Sequence, residues 1–392
     1  MCYAIPGKVV EINDKIITVE YFGEQKKARN EFYNLALGEY IYAQGGLVIQ
    51  RISEREALPV LESWKEMFHE LAQVDKNLAR ETKTMYEKAN AVRHKYSGNS
   101  CCVHGIIEFS NYCKHNCLYC GLRKDNKQLK RYQMEPDEII QSAADAINLH
   151  GFKALVLQSG EDDSYTAEIM GSVVKSIMEK TPILLILSVG EKDISFYKRL
   201  YDEGARGVLL RFETSNPQLY KKMKPDSDFN KRLELIKQLR DMGYLIFTGF
   251  LAGLPGQTRE DLENDIKLTT ALGTDMFSFG PFIPHPQTPL ANENKPSLEL
   301  ALNAIAKARL ACPEAKILVT TSLETLDKEN GAKSGLMAGG NSLMINLTPE
   351  KYRKLYEIYP QRAGTDIKVT ANISRVIALL RSIGRAPTDL GI

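Results

Sequence analysis

From residue 103 to residue 346 the chain alternates short apolar runs with longer amphipathic stretches, and this alternation limits the fold more than any other feature of the sequence. The apolar runs cover 105–108, 154–158, 183–188, 207–212, 245–251, 276–280, 316–320 and 342–346. Helical periodicity covers 136–149, 166–179, 195–203, 229–242, 259–272 and 298–311. Strands separated by helices pair in parallel and keep the helices outside. Eight such strands over about 250 residues match a (β/α)8 TIM-type barrel, whose chemistry lies on the loops at the carboxyl ends of its strands.

The first fifty residues follow a different rule. Alternating runs at 8–12, 16–21, 40–43 and 47–52 read as strands of a small N-terminal β-barrel. Ser53 stands three residues before Glu56, the spacing of a capping box, and Leu61, Trp64, Met67, Phe68 and Leu71 continue at helical period. A charged helix or helix pair over 74–96 and the break at 97–100 come next. The expected division is 1–73 as small β-barrel plus helix, 74–100 as helical connector and 101–392 as the (β/α)8 barrel.

The chain carries 51 basic and 49 acidic residues, so neither a nucleic-acid nor a membrane surface is expected. Residues 1–7 lack the basic start and apolar stretch of a signal peptide, and no run reaches the roughly 18 apolar residues that span a bilayer. A cytoplasmic enzyme with a small-molecule or protein partner is the expectation.

The loop after the first barrel strand reads FSNYCKHNCLYCG over 109–121. Its Cys113, Cys117 and Cys120, spaced CxxxCxxC, suit an iron–sulfur cluster: three thiolates leave one iron of a cubane without a protein ligand, free to bind a small molecule. Structural zinc asks for a fourth ligand, which here means His115, His104, Cys101 or Cys102. Seven cysteines without a secretory signal argue against disulfides. Cys101 and Cys102 precede the first strand and read as core residues.

Other polar residues cluster at strand ends. Gln158, Ser159, Gly160, Glu161 and Asp162 close the second strand, where backbone and carboxylates suit the ammonium of an amino acid. Glu213 closes the fourth and suits ribose hydroxyls; Arg232 suits a carboxylate held bidentately. Taken singly, each is more often a helix cap or a surface ion pair; their joint placement at strand ends around the CxxxCxxC loop favours function. The turn GLPG at 253–256 lacks the Walker lysine and the GxGxxG form, so phosphate binding is not expected there. His285, in a proline-punctuated loop, reads as structural.

The cysteine run, with Tyr119 before its last cysteine, resembles the radical S-adenosylmethionine (SAM) superfamily. Together with VLQSGED at 156–162, GLPGQT at 253–258 and GPFIPHP at 280–286, it resembles HydE, the radical SAM maturases of FeFe-hydrogenase, over about 100–390. The resemblance implies a 4Fe-4S cluster on Cys113, Cys117 and Cys120, and reductive cleavage of SAM to a 5'-deoxyadenosyl radical. It implies cofactor contacts from Tyr119, Gln158, Ser159, Gly160, Glu161, Ser188, Glu213, Arg232 and Leu254, with the 253–256 turn near the adenine. Arg211, Phe212, Tyr352 and Tyr356 then face the substrate, in HydE a cysteine-bound iron carbonyl cyanide complex. An electron donor such as ferredoxin or flavodoxin, and a maturation partner protein, are implied as well.

Residues 1–10, MCYAIPGKVV, resemble HypC, the chaperones of NiFe-hydrogenase maturation, whose second-position cysteine carries iron; this makes Cys2 a candidate metal ligand. Gln44 stands where HypC usually has histidine. Phe212, Ile186 and 345–347 depart from the HydE pattern at positions expected to face the barrel interior. The carboxyl region lacks the cysteines of an auxiliary cluster. Two rival readings remain: an amino-acid mutase or lyase resembling PylB, and a non-catalytic iron carrier or scaffold.

Overall fold

The computed structural model describes residues 5–80 and 82–389. The amino-terminal part is a closed five-stranded barrel of β1 (Gly7–Asn13), β2 (Ile16–Tyr21), β3 (Glu24–Arg29), β4 (Tyr40–Gln44) and β5 (Leu47–Ile52), in the order β1-β2-β3-β5-β4. Apolar patterning does not reveal β3, because Ala28 is its one buried residue. Backbone pairing carries it instead, in register with β2 from Ile16 opposite Arg29 to Tyr21 opposite Glu24. The joining turn, Phe22 and Gly23, has both φ positive, as a tight hairpin turn requires.

Helix α1 (Glu54–Leu78) starts at the Ser53 capping box: the Glu56 amide donates to Ser53 Oγ at 3.3 Å and the Ser53 amide to Glu56 Oε2 at 2.9 Å. It runs unbroken past residue 73 and is followed by α2 (Met85–Ser97). Asp75 ties these helices to the end of the chain. Its carboxylate accepts from Arg93 Nη2 at 2.7 Å, from Arg385 Nε at 2.8 Å and pairs with His94 Nδ1 at 2.7 Å, while Asp75, Arg93 and Arg385 are all buried.

The remainder runs β6 (Cys102–Ser110), α3 (Pro136–Asn148), β7 (Ala154–Ser159), α4 (Ala167–Lys180), β8 (Leu184–Ser188), α5 (Ile194–Asp202), β9 (Gly207–Leu209), α6 (Pro217–Met223) and α7 (Phe229–Asp241). It continues with β10 (Leu245–Thr248), β11 (Leu251–Ala252), α8 (Arg259–Ala271), β12 (Met276–Phe277), β13 (Gly280–Pro281) and α9 (Leu298–Ala311). The last elements are β14 (Lys316–Ile317), α10 (Thr321–Leu326), α11 (Gly331–Met337), β15 (Ser342–Asn346), α12 (Glu350–Arg353) and α13 (Val369–Ser382). Eight strands form a parallel sheet in the order β14-β12-β10-β9-β8-β7-β6-β15, and a bridge between Leu318 and Ser342 joins its two edges into a (β/α)8 barrel. Side-chain oxygens of Thr166, Asn216, Asp228, Thr258 and Ser297 cap α4, α6, α7, α8 and α9, satisfying amides that a helix start leaves unpaired.

Alternation along the strands sorts side chains into two layers. Residues such as Val103, Ile107, Leu155, Leu187 and Phe212 face the helices. Ile106, Val156, Ile186 and Phe247 face inward, where Tyr42, Leu47 and Ile49 of the small barrel pack against them. The small barrel thus plugs the amino-terminal mouth of the large one. Gly45 makes this approach possible: its φ is 62°, and a Cβ there would lie 2.9 Å from a Leu184 methyl.

Among the described residues no helix is long and apolar enough to cross a membrane.

Candidate active site

The opposite mouth opens into a cavity of about 280 Å³, lined from the carboxyl ends of the strands. Register sets its floor. Glu108 of β6 lies opposite Gln158 of β7, and Gln158 opposite Ser188 of β8, so three polar side chains share one inward layer. Ser188 Oγ donates to Gln158 Oε1 at 3.0 Å.

Cys113, Cys117 and Cys120 all line this cavity. Their loop is held by backbone bonds to three other segments: the Leu118 amide donates to the Met223 carbonyl at 2.9 Å, Gly121 to Ile358 at 2.9 Å and Lys114 to Glu161 at 3.1 Å. The Arg131 guanidinium closes the loop from below by donating to the carbonyls of Asn111, Leu122 and Arg123. Gly160 lets the loop lie on the end of β7, since a Cβ there would sit 2.1 Å from the Tyr112 carbonyl oxygen. Burial and the neighbouring Cys117 and Cys113 push the Cys120 thiol up to about 12. A cation bound among the three sulfurs would favour their thiolate form. Lys224 Nζ, 3.3 Å from Cys117 Sγ, adds positive charge at the edge; burial opposes its charge, but Cys117 and Glu161 hold its pKa above the ordinary lysine range.

Beside the cysteines stands an acidic residue with fixed partners. Glu161 pairs with His115 Nε2 at 2.9 Å and with Arg232 Nη2 at 3.3 Å, and Arg232 Nε reaches Glu191 at 2.6 Å. Burial alone raises the Glu161 carboxyl, but the His115 hydrogen bond and the charges of Arg232 and Lys224 bring it down to about 2. Glu213 adopts a left-handed φ of 67°, uncommon outside glycine, and its buried Oε2 has no hydrogen-bond partner. Arg211 lies 3.4 Å from that oxygen. Tyr119 forms the wall above and packs with Leu118 against Leu254 and Phe282.

The cavity therefore brings together Cys113, Cys117, Tyr119, Cys120 and the run 158–161. It also gathers Ser188, Arg211, Glu213, Arg232 and Tyr356. Three expected positions fall outside it. Phe212 follows the alternation of β9 outward and packs against Phe250 among the helices. Tyr352 stacks on Tyr132 at 4.7 Å and donates to Glu138 at 2.8 Å, on the outer side of the loop. Leu254 backs the Tyr119 ring instead of lining the space. Of the departures from the HydE pattern, Ile186 faces the barrel interior below the cavity, whereas Phe212, Ile345 and Leu347 face the helices, so the expectation that all look inward is corrected. Cys2 lies outside the described residues. Sequence reasoning missed Lys224, the hydroxyls of Thr320, Thr321 and Ser322, and Arg362, which pairs with the fully buried Glu108 at 2.5 Å. None of these carries a local motif; the topology alone assembles them.

A family model for the radical SAM superfamily matches residues 107–269, and one for the HupF/HypC family matches residues 1–64. The [FeFe] hydrogenase maturase subunit HydE of Thermotoga maritima is 42% identical over 303 residues, covering 77% of this chain and 86% of that protein. The chain belongs to the HydE family of radical SAM enzymes. The 3-methylornithine synthase of Methanosarcina acetivorans is 29% identical over 266 residues, 67% of this chain and 73% of that protein. Among solved structures, methylornithine synthase (PylB) superposes with a TM-score of 0.67 at 23% identity, over 82% of this chain and 97% of that one. HydG of Carboxydothermus hydrogenoformans gives 0.65 at 20% identity, over 83% and 79%. These two likenesses bear on the fold.

As a HydE-family enzyme the chain uses a 4Fe-4S cluster and SAM. The residues fit both: three cysteines lining one cavity, a glycine, Gly160, where a Cβ would collide with their loop, and a buried carboxylate oxygen on Glu213 without a hydrogen-bond partner.

Proposed function

We propose that the cavity binds SAM against a cluster held by Cys113, Cys117 and Cys120, and that the enzyme works in assembly of a hydrogenase-type iron site on a small iron-bound substrate. The observation that carries this is the convergence of the three cysteines, the 158–161 segment and Glu213 on one cavity at the carboxyl ends of the barrel strands. When bound, the cluster supplies the electron that splits SAM into methionine and a 5'-deoxyadenosyl radical.

The chain's own groups position the reactants. Glu161, locked by His115 and Arg232, fixes the turn after β7, so that the polar atoms of Gln158, Ser159 and Gly160 present to the amino-acid end of SAM. Glu213 offers its unpaired oxygen to ribose hydroxyls, and the Tyr119 ring covers the adenine side. Deeper in the barrel, Met344, Tyr356 and the hydroxyls of Thr320, Thr321 and Ser322 face the substrate. The lining arginines are paired, Arg362 with Glu108, Arg232 with Glu161 and Glu191, and Arg211 with Glu213, which fixes the polar walls around the substrate. The apolar plug below excludes water and stray hydrogen donors. Ferredoxin or flavodoxin is the proposed reductant and a maturation protein the proposed partner, with the HypC-like amino terminus as the part that meets it.

In cells that carry an FeFe-hydrogenase but lack HydE, expression of this chain is expected to restore hydrogen evolution. Absence of activity from cells containing soluble, cluster-loaded protein would count against the assignment.

A further inference from the structure

At the plugged end of the barrel, far along β6 from the cysteine loop, stands a second group of donor atoms that the reaction does not use. Cys102 and His104 are both on the inward face of β6, and Asp389 arrives from the end of the described chain. One ligand atom from each lies within 4.8 Å of the other two, and all three residues are buried. We propose that Cys102, His104 and Asp389, joined by the amide oxygen of Gln44, bind one borderline divalent cation, of the zinc or ferrous type, at the seam between the two barrels.

Four observations support the site. First, the donor set of one sulfur, one imidazole nitrogen and two oxygens suits such cations and not calcium or magnesium. Second, the His104 ring is held in place beside the thiol: Nε2 lies 3.1 Å and Nδ1 3.8 Å from Cys102 Sγ, and Nδ1 lies 3.4 Å from Ser342 Oγ. Third, Gln44, 2% exposed, has an unpartnered Oε1, although its Nε2 donates to Cys102 Sγ at 3.2 Å and Asp389 Oδ2 at 3.4 Å. An acceptor buried without a donor is a costly defect. A cation among these groups removes it. Fourth, the surroundings hold the donors in place: the Gly45 amide donates to Asp389 Oδ2 at 2.9 Å, and Lys316 Nζ lies 3.2 Å from Oδ1.

Lys316 already neutralises the carboxylate, so charge balance enters through the cysteine. Binding M2+ forms a metal–sulfur bond and releases the Cys102 thiol proton to solvent, leaving a +1 site shared by Cys102, Asp389, Lys316 and the metal. Cys101, the adjacent residue, points the other way into the helix-facing layer. A cation at this seam would pin the Gln44–Gly45 turn of the plug to the barrel.

The test uses the full chain with its iron–sulfur cluster assembled, loaded with Zn2+ and passed over a weak chelator. The expected result is one zinc retained per chain beyond the iron, lost in Cys102→Ser and in His104→Gln, with iron and sulfide content unchanged in both variants and retention unchanged in Cys2→Ser. X-ray absorption at the zinc edge of the unaltered protein is expected to show a single sulfur with nitrogen and oxygen neighbours, a reading that does not depend on the variants folding. Failure of the parent to retain zinc, retention in either variant equal to that of the parent, or a shell of three sulfurs would overturn the site.

Discussion

Alanine in place of Cys113, Cys117 or Cys120 abolishes formation of 5'-deoxyadenosine from SAM, a loss of several orders of magnitude to background. The three sulfurs line one cavity, and among the described residues no spare thiol stands behind them: Cys101 and Cys102 lie at the start of β6 and Cys312 follows α9 on the outside of the barrel. Removing one ligand also leaves Lys224 buried beside an incomplete set of anions, at a further cost in stability. Anaerobic reconstitution with iron and sulfide, dithionite reduction and chromatography of the nucleoside product measure the effect. Product formation at the unaltered rate in any one of the three variants would mean that the cysteine in question is not a cluster ligand.

Asp75→Ala is expected to cost about 3–5 kcal/mol of unfolding free energy, because it strands the buried guanidinium groups of Arg93 and Arg385 without their shared counter-charge. Burial alone would raise the Asp75 carboxyl, yet the hydrogen bonds of His94 and Arg93 and the charge of Arg385 bring it down to about 2 from an ordinary 3.8. A folded-state pKa below the unfolded one stabilises the fold above the unfolded value, and the contribution disappears as pH falls through the folded value. The stability difference between the parent and Asp75→Ala is therefore greatest at neutral pH and narrows between about pH 4 and pH 2. Denaturant midpoints across that range read it directly. A difference that stays constant with pH would show that the carboxylate charge is not what joins α1, α2 and the chain end.

Much of the architecture could be read from sequence because it rests on local rules. The six helices expected between 136 and 311 fall within one residue of their bounds, fixed by caps such as Thr166, Asp228 and Ser297 and by apolar period, whereas α6 and α10 to α13 are not among the expected helices. Local rules failed where pairing is non-local. β3 hides its nature because its side chains are mostly exposed, and the two-residue strands β12 and β14 are far shorter than the apolar runs that mark them. The site was legible where chemistry is concentrated in one loop, as with the three cysteines, or follows a strand directly, as with 158–161. It was not legible where outward and inward faces had to be told apart: Phe212 and Arg211 are neighbours in sequence, yet one packs under helices and the other lines the cavity. Arg362 and Lys224 arrive from distant loops, and only the closed barrel reveals that they face the same space as Gln158. Nor did the sequence reveal that Gln44, which stands where HypC usually has histidine, is buried where the small barrel meets the large one.

Substrate choice separates the account from its rivals most directly. With cluster-loaded protein, SAM and dithionite under anaerobic conditions, formation of 5'-deoxyadenosine is expected to rise when a cysteine-bound iron carbonyl cyanide complex is added, with parallel loss of that complex, and to stay at its basal rate with lysine. Stimulation by lysine with appearance of an isomerised amino acid, and indifference to the iron complex, would contradict a role in hydrogenase-type iron-site assembly.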